Sequence, residues 1–149
     1  MTRSLRLLGA ILIVAAIQVL VACSSTTSMM GQQWQPAMLS DFSSVAGTWD
    51  GRLLQTPRSN RDDWLTVRIS ESGAFEFTSA RQTGVMRGKG NFMLVHGTLE
   101  AKTPKGEPIT VKLYRDPGSN QRMLKAEAKA SNGLRFTADL LPAVGSAPR

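Results

Sequence analysis

Between Gly47 and Leu141 apolar and polar residues alternate with a period of two, and Gly, Pro, Asn and Asp clusters interrupt the alternation at regular intervals. That period puts alternate side chains on opposite faces of a β-strand. Trp49, Gly51 and Leu53 share one face of a first strand; Leu65, Val67 and Ile69 share a face of a second, with Thr66 and Arg68 opposite. Glu71-Ser72-Gly73 reads as a short turn, after which Phe75 and Phe77 alternate with Glu76 and Thr78. Val85 to Lys89 reads as a short strand set among Gly84, Gly88 and Gly90. Phe92 to Ala101 reads as one longer strand, with Met93, Val95, Leu99 and Ala101 in phase and Phe92 and Leu94 on the other face. Three further runs follow, carried by Ile109, Val111 and Leu113, by Leu124, Ala126 and Ala128, and by Leu134, Phe136, Ala138 and Leu140. Turn-forming residues at 103–108, 116–120 and 131–133 separate them, the last containing the hairpin dipeptide Asn-Gly.

The pattern predicts an all-β domain of seven to eight strands, and no stretch carries a helical period of useful length. Short turns make successive strands pair antiparallel, as a meander. One apolar and one charged face suit a sheet closed on itself or folded as a sandwich. A closed barrel is preferred, because closure removes the exposed edges that a lone sheet leaves. A barrel of about eight strands is filled by its own side chains or holds one small ligand. The small inward residues Gly51, Gly97, Ala126, Ala128 and Ala138 either leave such a cavity or offset the bulk of Phe and Met side chains.

The chain of 149 residues begins differently. Arg3 and Arg6 precede a run from Leu7 to Ala22 that carries no charge and one polar break, Gln18. A membrane-spanning helix needs roughly 20 apolar residues, so this run reads as the core of a cleaved signal peptide. It ends in Leu20-Val21-Ala22-Cys23, which resembles the lipobox of bacterial lipoproteins. The resemblance implies diacylglyceryl transfer to the Cys23 thiol, cleavage after Ala22 and acylation of the new amino terminus. Ser24, where an Asp is similar to an inner-membrane retention signal, implies the outer membrane, facing the periplasm, or the cell membrane in an organism without an outer membrane. Two or three acyl chains anchor stably where one is marginal.

The expected organisation is a signal peptide at 1–22, the lipidated cysteine and a flexible polar tether at 23–43, a β-barrel domain at 44–141 and a fraying tail at 142–149. Trp34 is the exception in the tether, and docking on the domain or simple exposure is favoured for it over a place at the lipid interface.

Gly47-Thr48-Trp49 at the start of the first strand resembles the Gly-x-Trp of calycins, the lipocalin-like, fatty-acid-binding and avidin-like barrels. The resemblance implies that Trp49 closes one end of the barrel and that a basic residue near the last strand packs on it, with Arg135 as the candidate. No tryptophan follows Trp64, so the biotin pocket of avidin-like barrels has no counterpart and no ligand residues carry over.

One cysteine rules out an intramolecular disulfide and a Cys-only zinc site, and one histidine rules out a multi-histidine metal site. His96 has no Gly-x-Ser-x-Gly frame to supply a nucleophile. Asp62-Asp63 could join His96 around a metal ion, but adjacent acids in a loop more often face water. The glycines at 84, 88 and 90 lack the Lys-Ser/Thr pair and the helix of a phosphate loop and fit a bulge or strand corner better. The expectation is a non-enzymatic protein without metal or cofactor.

The net charge is +7, and without Arg3 and Arg6 the balance is 16 to 11, or +5. The charges are spread as on a solvated outer face. The sharper reading is a basic patch of Arg58, Arg61, Arg81, Arg87 and Lys89 that attracts anionic lipid headgroups or acidic glycans; nucleic acid does not suit an exported, lipid-anchored chain. Two functions remain open. One is a binding or accessory module that engages an envelope protein complex, glycan or lipid; the other is a lipocalin-like carrier of a small apolar ligand inside the barrel.

Overall fold

Ten antiparallel strands form a single sheet that curls into a nearly closed barrel. The structure is a computed structural model that describes residues 33–57, 63–81 and 84–144. The strands are β1 (Gln35–Ala37), β2 (Gly47–Thr56), β3 (Asp63–Ile69), β4 (Ala74–Arg81), β5 (Gly84–Asn91), β6 (Met93–Val95), β7 (Thr98–Lys102), β8 (Pro108–Arg115), β9 (Arg122–Lys129) and β10 (Arg135–Pro142). The sheet runs β5-β4-β3-β2-β10-β9-β8-β7-β6, and β1 adds to β8. The first long strand therefore lies beside the last, with Trp49 opposite Pro142 and Thr56 opposite Arg135. No ladder joins β5 to β6 among the described residues. Beside that gap the ring of Phe92, the residue between β5 and β6, stacks on Phe75 of β4 at 4.3 Å between centroids.

The inward rows are those the alternation marks: Leu65, Val67 and Ile69 on β3, Phe75 and Phe77 on β4, Leu124 and Ala126 on β9, Ala138 and Leu140 on β10. The glycines of β5 serve these rows. A β-carbon on Gly88 would overlap the Phe77 ring, and one on Gly90 would come within 2.9 Å of Phe75. The two rings thus lie flat across the glycine backbone of the facing strand, where sequence reasoning expected a bulge or corner. Gly51 has another reason: a β-carbon there would collide with the Asp139 carbonyl of β10.

Three boundaries differ from the sequence expectation. The run Phe92 to Ala101 is a hairpin, because His96 (φ 47°) and Gly97 (φ 74°) both take left-handed backbone and turn β6 into β7. Two successive residues at positive φ make the tight turn whose twist suits paired strands, and His is among the few non-glycine residues that enter that region readily. The turn puts Gly97 in a connection rather than on the inward row, and it leaves Met93 56% exposed while Leu99 is buried. At the amino-terminal side, the described part of the expected tether is folded. β1 pairs with the end of β8, Trp34 is half-buried and Leu39 is buried. Local composition hid this, because the segment is polar except for the few side chains that dock. At the other end β10 runs through Pro142, and the Ala143 N–H donates to the Thr48 carbonyl at 2.9 Å.

Candidate functional site

One end of the barrel is sealed. Trp49, 1% exposed, points inward at the start of β2, and its indole N–H donates to the Val45 carbonyl at 2.8 Å. Val45 closes a 3-10 turn at Ser43–Val45 that plugs the barrel end together with Leu39 and Phe42. Phe42 lies so close to Gly73 that a β-carbon there would meet its ring at 2.7 Å. The plug is tied by Asp41, whose carboxylate accepts from the Ser43 hydroxyl at 2.6 Å and the Ser44 N–H at 3.0 Å. Those hydrogen bonds hold its carboxyl below the usual carboxylate range, the Ser43 hydroxyl contributing most. The β8–β9 turn is organised in the same way around Asp116, which accepts from the Ser119 hydroxyl at 2.6 Å and the Gly118 N–H at 3.2 Å. Its carboxyl is likewise lowered, first by Ser119.

The basic residue on the closing tryptophan is Arg122, not Arg135. The Arg122 guanidinium carbon lies 5.7 Å from the Trp49 ring centroid, and its Nη1 donates to the Ser44 carbonyl at 2.8 Å. Register explains the choice. Leu140 pairs with both Leu124 and Gly51. One inward step further, each strand brings Arg122, Pro142 and Trp49 to the sealed end. Arg135 pairs with Thr56 at the opposite end, alternates with inward residues and faces solvent. A lone sequence contains no signal for this pairing until the β2–β10 register is known.

Away from the plug the interior is hollow. A cavity of about 290 Å³ is walled by apolar side chains of β2 to β5 and β8 to β10, among them Leu65, Phe77, Ile109, Ala126, Phe136 and Ala138. Inward residues near the plug are closed off: Ile69, Leu113, Leu124 and Leu140 are at most 2% exposed. Inward residues toward the other end, Leu53, Phe77, Ile109 and Phe136, are half-buried, and Met86 is 39% exposed. Solvent therefore reaches the inner wall from the end opposite Trp49. Of the small inward residues, Ala126, Ala128 and Ala138 line the cavity. Ser79 continues the row of Phe75 and Phe77, pairs with the lining residues Leu65 and Met86, and is fully buried. Its hydroxyl has no hydrogen-bond partner among the described residues.

The remaining candidates lie apart. Cys23, Arg58, Arg61 and Asp62 lie outside the described residues, and Arg81 is described in its backbone only. Arg87 and Lys89 are exposed on the outer face of β5, opposite Thr78 and Glu76. Asp63 begins β3 and His96 sits in the β6–β7 turn, with four strands between β3 and β7 in the sheet. Among the described residues no three His, Cys, Asp or Glu side chains gather as metal ligands.

No family model matches this chain, and no curated protein matches it. Among solved structures the chain is similar to a redesigned β-barrel, at 13% identity and a TM-score of 0.43, over 70% of this chain and 97% of that one.

Proposed function

We propose that this chain is a lipid-anchored envelope protein, held through Cys23, whose barrel carries a small apolar ligand in its interior. The observation that carries the reading is the cavity of about 290 Å³ with apolar walls. That volume is about twice the ~150 Å³ of an apolar cavity that stays dry and takes up benzene, and close to the lower bound of about 300 Å³ for small-molecule sites. A solid core would have left only the outer surface to act. Water finds few partners on such walls, so an apolar ligand displaces little that is bound well. The anchor rests on the lipobox-like Leu20-Val21-Ala22-Cys23. No chemical step is assigned to the chain in this reading.

Titration with the environment-sensitive probe N-phenyl-1-naphthylamine tests the reading. A saturable rise in fluorescence at one probe per chain is expected, with a higher melting temperature in its presence. Ala126→Leu with Ala128→Leu fills the cavity and should weaken the probe at least tenfold without lowering the melting temperature. Probe fluorescence that never saturates, or that ignores the double substitution, would overturn the reading.

A further inference from the structure

The open end of the barrel carries large apolar side chains that the fold does not use. On the outer faces of β2, β3 and β5, Leu54 is 42%, Trp64 53% and Val85 58% exposed, and Met86 sits at the cavity mouth beside Val85. Register groups them. Trp64 and Val85 both pair with Ala80, and Leu54 lies two residues beyond Arg52, the residue paired with Trp64. These side chains border the β2–β3 and β4–β5 connections. The other two connections at this end, β7–β8 and β9–β10, are bordered by exposed cations: Lys102, Lys105, Lys129 and Arg135. Among the described residues the acids at this end are Asp63 and Glu107, with exposed Glu127 two residues in from Lys129. The Glu107 carboxylate is engaged, accepting from the Ser131 N–H at 2.7 Å and its hydroxyl at 2.9 Å. Among the described residues, one side of the rim thus presents apolar side chains with a tryptophan, and the other presents cations.

We infer that the open rim is a docking surface for an anionic phospholipid membrane, on which Trp64, Leu54 and Val85 enter the headgroup region while Lys102, Lys105, Lys129 and Arg135 lie against lipid phosphates. The two halves of the rim match the two parts of such a surface. Tryptophan favours the membrane interface, where its apolar body and polar N–H are both accommodated. Clustered Lys and Arg are drawn to the negative potential of anionic lipid. The cavity mouth lies inside the same rim, so docking would turn the apolar interior toward the bilayer. The inference goes beyond the carrier reading and does not need it.

The test uses the full chain reconstituted with vesicles, in a Trp34→Phe background so that Trp64 is the exposed tryptophan and Trp49 the buried one. With vesicles of phosphatidylglycerol and phosphatidylcholine in equal parts, carrying brominated acyl chains, Trp64 emission should shift to the blue and be quenched at least twofold. Pure phosphatidylcholine vesicles should quench far less, and so should the mixed vesicles at high salt. The exposed-site variant Lys105→Glu with Lys129→Glu and Arg135→Glu should lose the preference for phosphatidylglycerol while keeping its melting temperature. Equal quenching in both vesicle types, or Trp64 left fully open to aqueous iodide, overturns the inference. Shielding of Trp64 by a crosslinked protein without any lipid quenching overturns it in favour of a protein partner. Lipid quenching without uptake of the apolar probe leaves the docking surface standing and removes the carrier reading instead.

Discussion

The ring of Phe77 occupies the space that a β-carbon on Gly88 would take. The two residues are cross-strand partners on β4 and β5, and Phe77 is also part of the cavity wall. Any side chain at position 88 pushes that ring into the hollow interior or out of the sheet. Gly88→Val should cost about 1–3 kcal/mol, the range for overpacking, or roughly 4–8 °C of melting temperature per kcal/mol. Gly118→Ala is the control, since a β-carbon there meets only the Asp116 carboxylate at 3.6 Å; a change within about 0.5 kcal/mol is expected. Thermal melts of the two variants check the difference.

Arg122 does two things at the sealed end: it covers the Trp49 indole and it donates to the Ser44 carbonyl at 2.8 Å. A hydrogen bond from a charged group contributes about 1.5–3 kcal/mol, and a partly buried cation–π contact about 0.5–2 kcal/mol. Arg122→Ala should therefore lower stability by about 2–3 kcal/mol and raise the accessibility of Trp49 to acrylamide. Arg122→Lys keeps the charge without the planar fork and should fall between. Arg135→Ala, at the far end, should leave both readings unchanged. Denaturant unfolding with tryptophan quenching decides.

His96 serves a turn. Its φ of 47° sits beside Gly97 at 74°, and its side chain is exposed. Asn tolerates the left-handed region as well as His does, so His96→Asn should be neutral. A β-branched residue does not, and His96→Val should cost about 1–3 kcal/mol as backbone strain. Equal loss in both variants would point to a contact of the imidazole itself.

The carboxyls of Asp41 and Asp116 are lowered by serine hydroxyls and backbone N–H groups. A carboxylate whose folded pKa lies below its unfolded one adds stability that is fully present above the unfolded value and is lost as pH falls through the folded one. The melting temperature should thus show no loss from these groups above about pH 5 and should decline below about pH 4. Ser119→Ala removes the main cause at Asp116 and should move its carboxyl titration upward, which NMR of the side-chain carboxyl carbon reads directly.

On the proposed anchoring, lipidation and processing both need the Cys23 thiol, so Cys23→Ala should abolish incorporation of labelled palmitate and leave residues 1–22 uncleaved. Unchanged labelling and an unchanged chain mass would remove the anchor from the proposal.

Much of the barrel was legible because alternation is a local signal. Leu65, Val67 and Ile69, or Phe136, Ala138 and Leu140, declare an inward row with no knowledge of the rest. What was hidden depends on neighbours far along the chain. Phe92 to Ala101 alternates well enough to pass for one strand, and only the backbone at His96 and Gly97 shows the reversal. β1 was hidden because Gln35, Pro36 and Ala37 have no apolar row of their own; they are held by pairing to Leu113, Tyr114 and Arg115. The resemblance at Gly47-Thr48-Trp49 points to the last strand for the partner of Trp49, whereas register brings Arg122 there from the strand before it. The cavity was legible only as a choice, since small residues at 126, 128 and 138 serve a filled and a hollow barrel equally until the ring is closed around them.

Among the described residues, the join between β5 and β6 is where no ladder fixes the girth of the barrel. Elsewhere the circumference is set by ladders whose hydrogen bonds would have to break for it to grow. At that join Phe92 is held instead by its N–H, which donates to the Gly73 carbonyl at 2.8 Å, and by its ring, which stacks on Phe75 of β4. Among the described strands, widening the barrel along that line would break no strand pairing, so on the carrier reading a larger ligand is expected to be accommodated there first.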